Sequence, residues 1–203
     1  MSTNMFRRAV AAVAVGVAAL GIAGPGLTHA APPPGPTSSV TAQSGETNSA
    51  DGRRRMAAIQ EEIAWQLARQ PDGRQVAPNK IVWDKQGVEL TLPMPGDDMA
   101  AMANCAYRLV CLFGDSDYNN GPDVQPWVLG FYACTQRDLG DWGKRNQMTS
   151  WDNNQTYGTQ AWIFQYRDES HPEYGLIQLL MAPAPHQNPL VYPNDAADVI
   201  RPC

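Results

Sequence analysis

Residues 105–154 read CAYRLVCLFGDSDYNNGPDVQPWVLGFYACTQRDLGDWGKRNQMTSWDNN, and the order of features in this stretch decides the fold class. Cys105 and Cys111 bracket a loop short enough for one bridge to close it. Phe113 and Tyr118 then flank an acidic turn, and Gly121 follows where a backbone of positive φ is expected. The polar, Asn- and Ser-containing run RNQMTSWDNN reads as the connection between one group of strands and the next. These spacings suit one small all-β domain.

At the N-terminal end, Arg7 and Arg8 precede the apolar run AVAAVAVGVAALGIAG, and Thr28-His29-Ala30 supplies the small residues that a signal peptidase reads. Residues 1–30 are therefore expected to be a signal peptide. The product is expected to be soluble, secreted and bacterial. Losing Arg7 and Arg8 with this leader removes two positive charges and takes the formal net charge from −5 to −7. That balance argues against nucleic acid or an anionic membrane as partner.

Residues 31–50, APPPGPTSSVTAQSGETNSA, offer almost nothing to bury and read as a disordered linker. Over residues 51–96 the pattern changes twice. Met56, Ile59, Ile63 and Leu67 recur at helical intervals until Pro71-Asp72-Gly73 stops the run. Ile81-Val82-Trp83 and Val88, Leu90, Leu92 flank the turn Asp84-Lys85-Gln86-Gly87 as a β-hairpin. A helix and a hairpin are too small to stand alone, so both are expected to dock on the β-domain C-terminal to them, as a packing accessory or as a lid.

Cys105, Cys111, Cys134 and Cys203 all lie beyond the leader, where an even number in a small domain implies disulfides. Four cysteines allow three pairings. A zinc site has little support, because no C-x-x-C or paired His spacing accompanies them.

Taken in order, CAYRLVC, the Phe113 hairpin, CTQRDLG, RNQMTSWDNN and the C-terminal NDAADVIRPC resemble the βγ-crystallins. They resemble specifically the secreted bacterial peptidase inhibitors of the Streptomyces metalloproteinase inhibitor type. Phe113 to Gly121 matches the crystallin hairpin of two aromatics and a glycine with one extra residue, and Tyr166 to Gly175 looks like a stretched copy. The resemblance implies two Greek-key motifs packed as a sandwich over residues 105–203, with strands near Trp127–Cys134, Ala161–Tyr166 and Leu176–Met181. It also implies a bridge from Cys105 to Cys111, which leaves Cys134 for Cys203.

Calcium-binding members of the crystallin family carry N/D-N/D-x-x-S/T-S in each half. The matching positions here are Arg145 to Ser150 and Asn194 to Val199. Asn146, Thr149, Ser150, Asn194, Asp195 and Asp198 are thus the candidate metal positions, while Arg145 stands where an oxygen donor is expected. A guanidinium there can pair with a carboxylate and take the ion's place, so weak calcium binding is the most that is expected and no other cofactor is implied.

The function implied is inhibition of an extracellular peptidase, of thermolysin-like type, by a monomer that inserts a preorganised loop into the protease cleft. An extracellular calcium- or glycan-binding structural module is the alternative. An enzyme is not expected. His171 and His186 lie near Pro without a nucleophile motif, and Asp115, Asp117, Asp168, Glu169 and Glu173 read as solvated turns rather than an acid/base pair. Trp127, Trp142, Trp151 and Trp162 read as core before they read as a glycan platform.

Overall fold

The computed structural model describes residues 49–97, 104–120 and 126–203. The leader expected over 1–30, the linker of 31–50 as far as residue 48, and Gly121 lie outside the described residues. Everything described belongs to the compact unit Ser39–Cys203.

Helix α1 spans Ala50–Arg69. The Ser49 hydroxyl accepts the Gly52 amide at 2.9 Å, satisfying one of the donors that a helix start leaves over. Asp51 in the first turn and Arg69 in the last complement the helix dipole. The expected stripe is the packed face: Ile59 and Ile63 are buried, with Met56 and Leu67 half-buried against the same core. Full burial of each isoleucine contributes on the order of 2 kcal/mol. Gln66 sits fully buried within this stripe, where its amide donates to Glu62 at 2.9 Å and to the Trp142 carbonyl at 2.8 Å.

Strands β1 (Arg74–Ala77), β2 (Lys80–Trp83) and β3 (Val88–Thr91) come next. The β2–β3 turn ends at Gly87, whose φ is 69° and where a Cβ would come within 2.2 Å of the Cβ of Ala133. Only glycine satisfies both demands. The hairpin is no separate layer, because β3 pairs along its length with β5 (Val128–Phe131), from Val88↔Phe131 to Thr91↔Val128.

The remaining strands are β4 (Val110–Phe113), β6 (Arg137–Asp138), β7 (Ser150–Asn153), β8 (Gln160–Tyr166), β9 (Leu176–Pro183), β10 (His186–Asn188) and β11 (Val199–Arg201). They complete a seven-stranded sheet of order β1-β2-β3-β5-β4-β7-β10 and a four-stranded sheet of order β6-β11-β8-β9. Every pairing is antiparallel. The described residues are therefore β-rich, with one long helix.

A repeat runs through both sheets. The rows β5-β4-β7-β10 and β9-β8-β11-β6 each end in a strand contributed by the opposite part of the sequence. Backbone hydrogen bonds repeat with it. The Thr149 amide donates to Phe113 O at 3.0 Å and the Asp198 amide to Phe164 O at 2.9 Å; Asn146 N reaches Ala197 O at 2.9 Å and Asp195 N reaches Met148 O at 3.0 Å.

One buried cluster joins both sheets to the helix, with Leu90, Leu112 and Leu129 from the larger sheet, Ile163 and Ile200 from the smaller, and Ile59 and Ile63 from α1. Trp142, on a 3-10 turn at Leu139–Trp142, meets Trp83 and Phe131 edge-on at 5.9 and 6.0 Å. The cysteines are paired Cys105–Cys111 and Cys134–Cys203. No helix among the described residues is long and apolar enough to cross a membrane.

Candidate functional site

The Cys105–Cys111 bridge closes a loop whose backbone is held at several points. Leu109 N donates to Ala106 O at 3.1 Å, forming a turn in which Arg108 takes a φ of 77°, the left-handed value that such a turn demands at its third residue. A non-glycine there costs on the order of 1 kcal/mol and persists only where the surroundings impose it. Asn154 imposes it: Arg108 N donates to Asn154 O at 2.9 Å, Asn154 N to Leu109 O at 2.9 Å, and the Asn154 side chain to Cys105 O at 2.8 Å.

Beneath the loop, Cys105, Cys111 and Phe113 form a second small core with Leu109, Tyr118 and Val128. Tyr107 stands out from it, 63% exposed, with the Arg108 guanidinium 5.9 Å from its ring centre. The result is a rigid projection carrying one aromatic ring and one cation.

The turn after β4 is the second built feature. Asp117, Tyr118 and Asn119 are consecutive left-handed residues with φ of 47°, 57° and 72°. Ser150 holds them, since its hydroxyl accepts Tyr118 N at 3.2 Å and donates to Asp115 O at 2.6 Å. Asn119 adds a side-chain bond to Trp127 O at 3.1 Å. Phe113 and Tyr118 then meet edge-to-face at 5.5 Å. Ser150, a candidate metal position, is thus occupied with backbone.

The other candidate metal positions fall into two groups. Thr149 donates to Asp195 Oδ1 at 3.3 Å, and Asn194 donates to Asp195 Oδ2 at 3.1 Å. Asn146 donates to Glu169, while Asp198 accepts Tyr166 N at 2.7 Å through Oδ2. Asn146 and Asp195 occupy equivalent places, each with a φ of 53°. Arg145 forms a two-pronged pair with Asp138, and its guanidinium lies 4.8 Å from the Tyr166 ring centre. Among the described residues, no three of His, Cys, Asp and Glu converge as a metal cage.

The two carboxyls near Arg145 are driven apart. Burial alone would raise Asp138, but hydrogen bonds from Arg145, the Gly140 amide and the Tyr166 hydroxyl outweigh it and hold the carboxyl below its ordinary value. Burial raises Asp198 above the ordinary value, and the charge of Glu169 adds to the rise. Asp198 is fully buried, and its Oδ1 lacks a hydrogen-bond partner. Hydrogen bonding to Asp138 raises the Arg145 guanidinium further beyond its already high range.

His171 and His186 are exposed; His171 contacts Glu173 at 2.9 Å and stacks on Tyr174 at 4.9 Å. Asp168 caps Ser170 N at 2.9 Å. Trp127, Trp142 and Trp151 are buried, whereas Trp162 is only half-buried. Two groupings give no local signal in the sequence. Asp138 stands seven residues before Arg145 in an unremarkable CTQRDLG run, and Lys144 finds Glu62, 82 positions away, at 3.1 Å beneath Trp127. No family model, no curated protein and no solved structure matches this chain.

Proposed function

We propose that the protein is a secreted, monomeric inhibitor of an extracellular peptidase of thermolysin-like type, and that the Cys105–Cys111 loop is its contact element. The observation that carries this reading is the fixed geometry of that loop, bridged by a disulfide and clamped by three hydrogen bonds with Asn154 while Tyr107 projects into solvent. A loop ordered in advance loses little freedom on docking, so more of its contact energy appears as affinity. The two disulfides accord with an oxidising compartment.

The fold assigned with this function is a βγ-crystallin-like pair of Greek keys extended by the β1–β3 wing and its helix. Its support is the matched order of β5-β4-β7-β10 and β9-β8-β11-β6, with one strand exchanged in each direction. Inhibition kinetics of the purified protein against thermolysin-like and subtilisin-like peptidases tests the function. Competitive inhibition of the first class is expected, with Tyr107→Ala weakening it by about 30-fold if the ring is an interface anchor. Absence of inhibition in both classes rejects the reading.

The alternative, an extracellular module that binds calcium or a glycan, draws on the approach of Thr149 to Asp195 from opposite motifs. Arg145, engaged with Asp138, counts against a cation in the equivalent place. A melting temperature that rises with added calcium and falls on chelation separates this reading from the first.

A further inference from the structure

The two sheets present four edges, and three of them are blunted. Strand β6 has two residues and β10 three, while β1 carries Arg74, paired with Asp84 at 3.0 Å. The fourth, β9, runs eight residues, Leu176–Pro183, and has no charged side chain. Among the described residues it pairs only with β8, from Tyr166↔Leu176 to Gln160↔Pro183. Strands β7 and β10 approach it, but its outer row of amides and carbonyls has no hydrogen-bonded partner strand among the described residues.

One point on that edge is closed, where the Asn153 side chain donates to Ala182 O at 2.7 Å. A register shift opposite Ile163 and Phe164 bends β9 at Leu179. Neither feature covers Leu176 to Met181, where Ile177 and Met181 are 43% and 40% exposed. Open, apolar and uncharged edges are what folded proteins ordinarily avoid.

We propose that the outer edge of β9, Leu176 to Met181, is a strand-addition site for an extended segment of another polypeptide, one that carries basic residues at its C-terminal end. A free strand edge recognises main chain, so an extended polypeptide is the chemistry it selects. Antiparallel addition continues the pattern of every other pairing and brings the C-terminal end of the added segment to the start of β9. There the turn from Arg167 to Gly175 holds exposed Glu169 and Glu173 and half-buried Asp168. A cation on the added strand complements them.

A second copy of this chain fits less well. Set antiparallel, it would bring Pro183 and Pro185 towards the same acidic turn, and proline supplies neither an amide to the ladder nor a charge to the acids. The formal net charge of −5 also sets copies against one another.

The test uses the purified protein and a fluorescent peptide of alternating Val and Thr ending in Lys-Lys. Two further versions are N-methylated at every second residue, in registers shifted by one, so each loses the amides of one edge and keeps all side chains. Anisotropy is expected to show saturable binding of the parent and of one methylated version. The other should bind roughly tenfold or more weakly, for two or three lost hydrogen bonds. Amide hydrogen exchange across residues 176–181 should slow with the parent peptide, and replacing Lys-Lys by Glu-Glu should weaken binding. Ile177→Lys with Met181→Lys should reduce binding in a protein that still melts cooperatively. No saturable binding, equal binding of both methylated versions, or unchanged exchange at 176–181 overturns the proposal. Slowing that tracks protein concentration without peptide assigns the edge to a second copy and equally overturns it.

Discussion

Phe113 and Phe164 occupy equivalent places in the two sheets, each with its carbonyl receiving an amide from the strand-entry motif at 3.0 and 2.9 Å, yet their surroundings differ. Over Phe113 the disulfide loop and Tyr118 close a small core that leaves the ring fully buried. Over Phe164 the cover is the guanidinium of Arg201, 5.4 Å away, and the ring is half-buried. Tyr174, expected to cover the second hairpin as Tyr118 covers the first, stacks instead on His171. The repeated part is backbone, indifferent to side-chain identity. The covers are side chains, so each half could acquire or lose its own.

The widest gap between the halves should be in their covalent constraint. Cys134–Cys203 spans 69 residues and Cys105–Cys111 spans 6. In the chain-entropy model, replacing the first pair by Ser costs about 4 kcal/mol and the second about 2 kcal/mol, checked by denaturant unfolding of both variants. Equal losses would show that local strain or packing, not loop length, governs the bridges.

The covering itself should give the next largest difference. Phe113→Ala should cost about 3 kcal/mol and Phe164→Ala about 1 kcal/mol, because truncation of a fully buried ring leaves a larger cavity than truncation of a half-buried one. Matched losses would break the comparison, showing that the second face is as well packed as the first.

Acid should separate Asp138 from Asp198. Asp138, held below its ordinary value, contributes stability above its unfolded-state pKa that is lost as pH falls through its folded one. Asp138→Asn should therefore lower stability near neutrality by about 1 kcal/mol, with the deficit closing in strong acid. Asp198, raised by burial, has the opposite sign: its contribution is full below its unfolded-state pKa and is lost as pH rises through the folded one. Asp198→Asn should lose nothing near neutrality and fall behind the parent only in acid. Melting curves across pH read both.

The smallest effect concerns calcium. With Arg145 paired to Asp138, added calcium should leave the melting temperature unchanged, and Arg145→Asn should create a modest rise. A clear shift in the unmodified protein would place a working ion site beside Thr149 and Asp195.

Local periodicity made α1 and the β2–β3 hairpin legible, because Ile59, Ile63, Trp83 and Leu90 bury at the spacing that their elements require. It could not show β1, whose residues Arg74, Gln75 and Val76 are exposed and carry no alternation of burial. Strands β6 and β10 are two and three residues long, too short for any periodic signal, and only tertiary pairing defines them. That also hid the way the hairpin extends the larger sheet rather than docking on it. At the candidate site the motif spacing located Arg145 and Asn146, but the partner Asp138 belongs to one of those short strands. CAYRLVC marked the bridged loop but not Tyr107, whose projection depends on Asn154, some fifty residues later.

The exchange of β6 and β10 bears on how the chain must be born. A polypeptide delivered N-terminus first can pair β3, β5, β4 and β7 early, but the larger sheet lacks its last strand until His186–Asn188 has arrived. The smaller sheet waits longer, since β11 at Val199–Arg201 sits between β6 and β8. Its nucleus must therefore join residues far apart in sequence, the topology associated with slow folding. Maturation of the smaller sheet has to wait for Val199–Arg201, and until those residues are delivered β6 and β8 lack the strand that joins them.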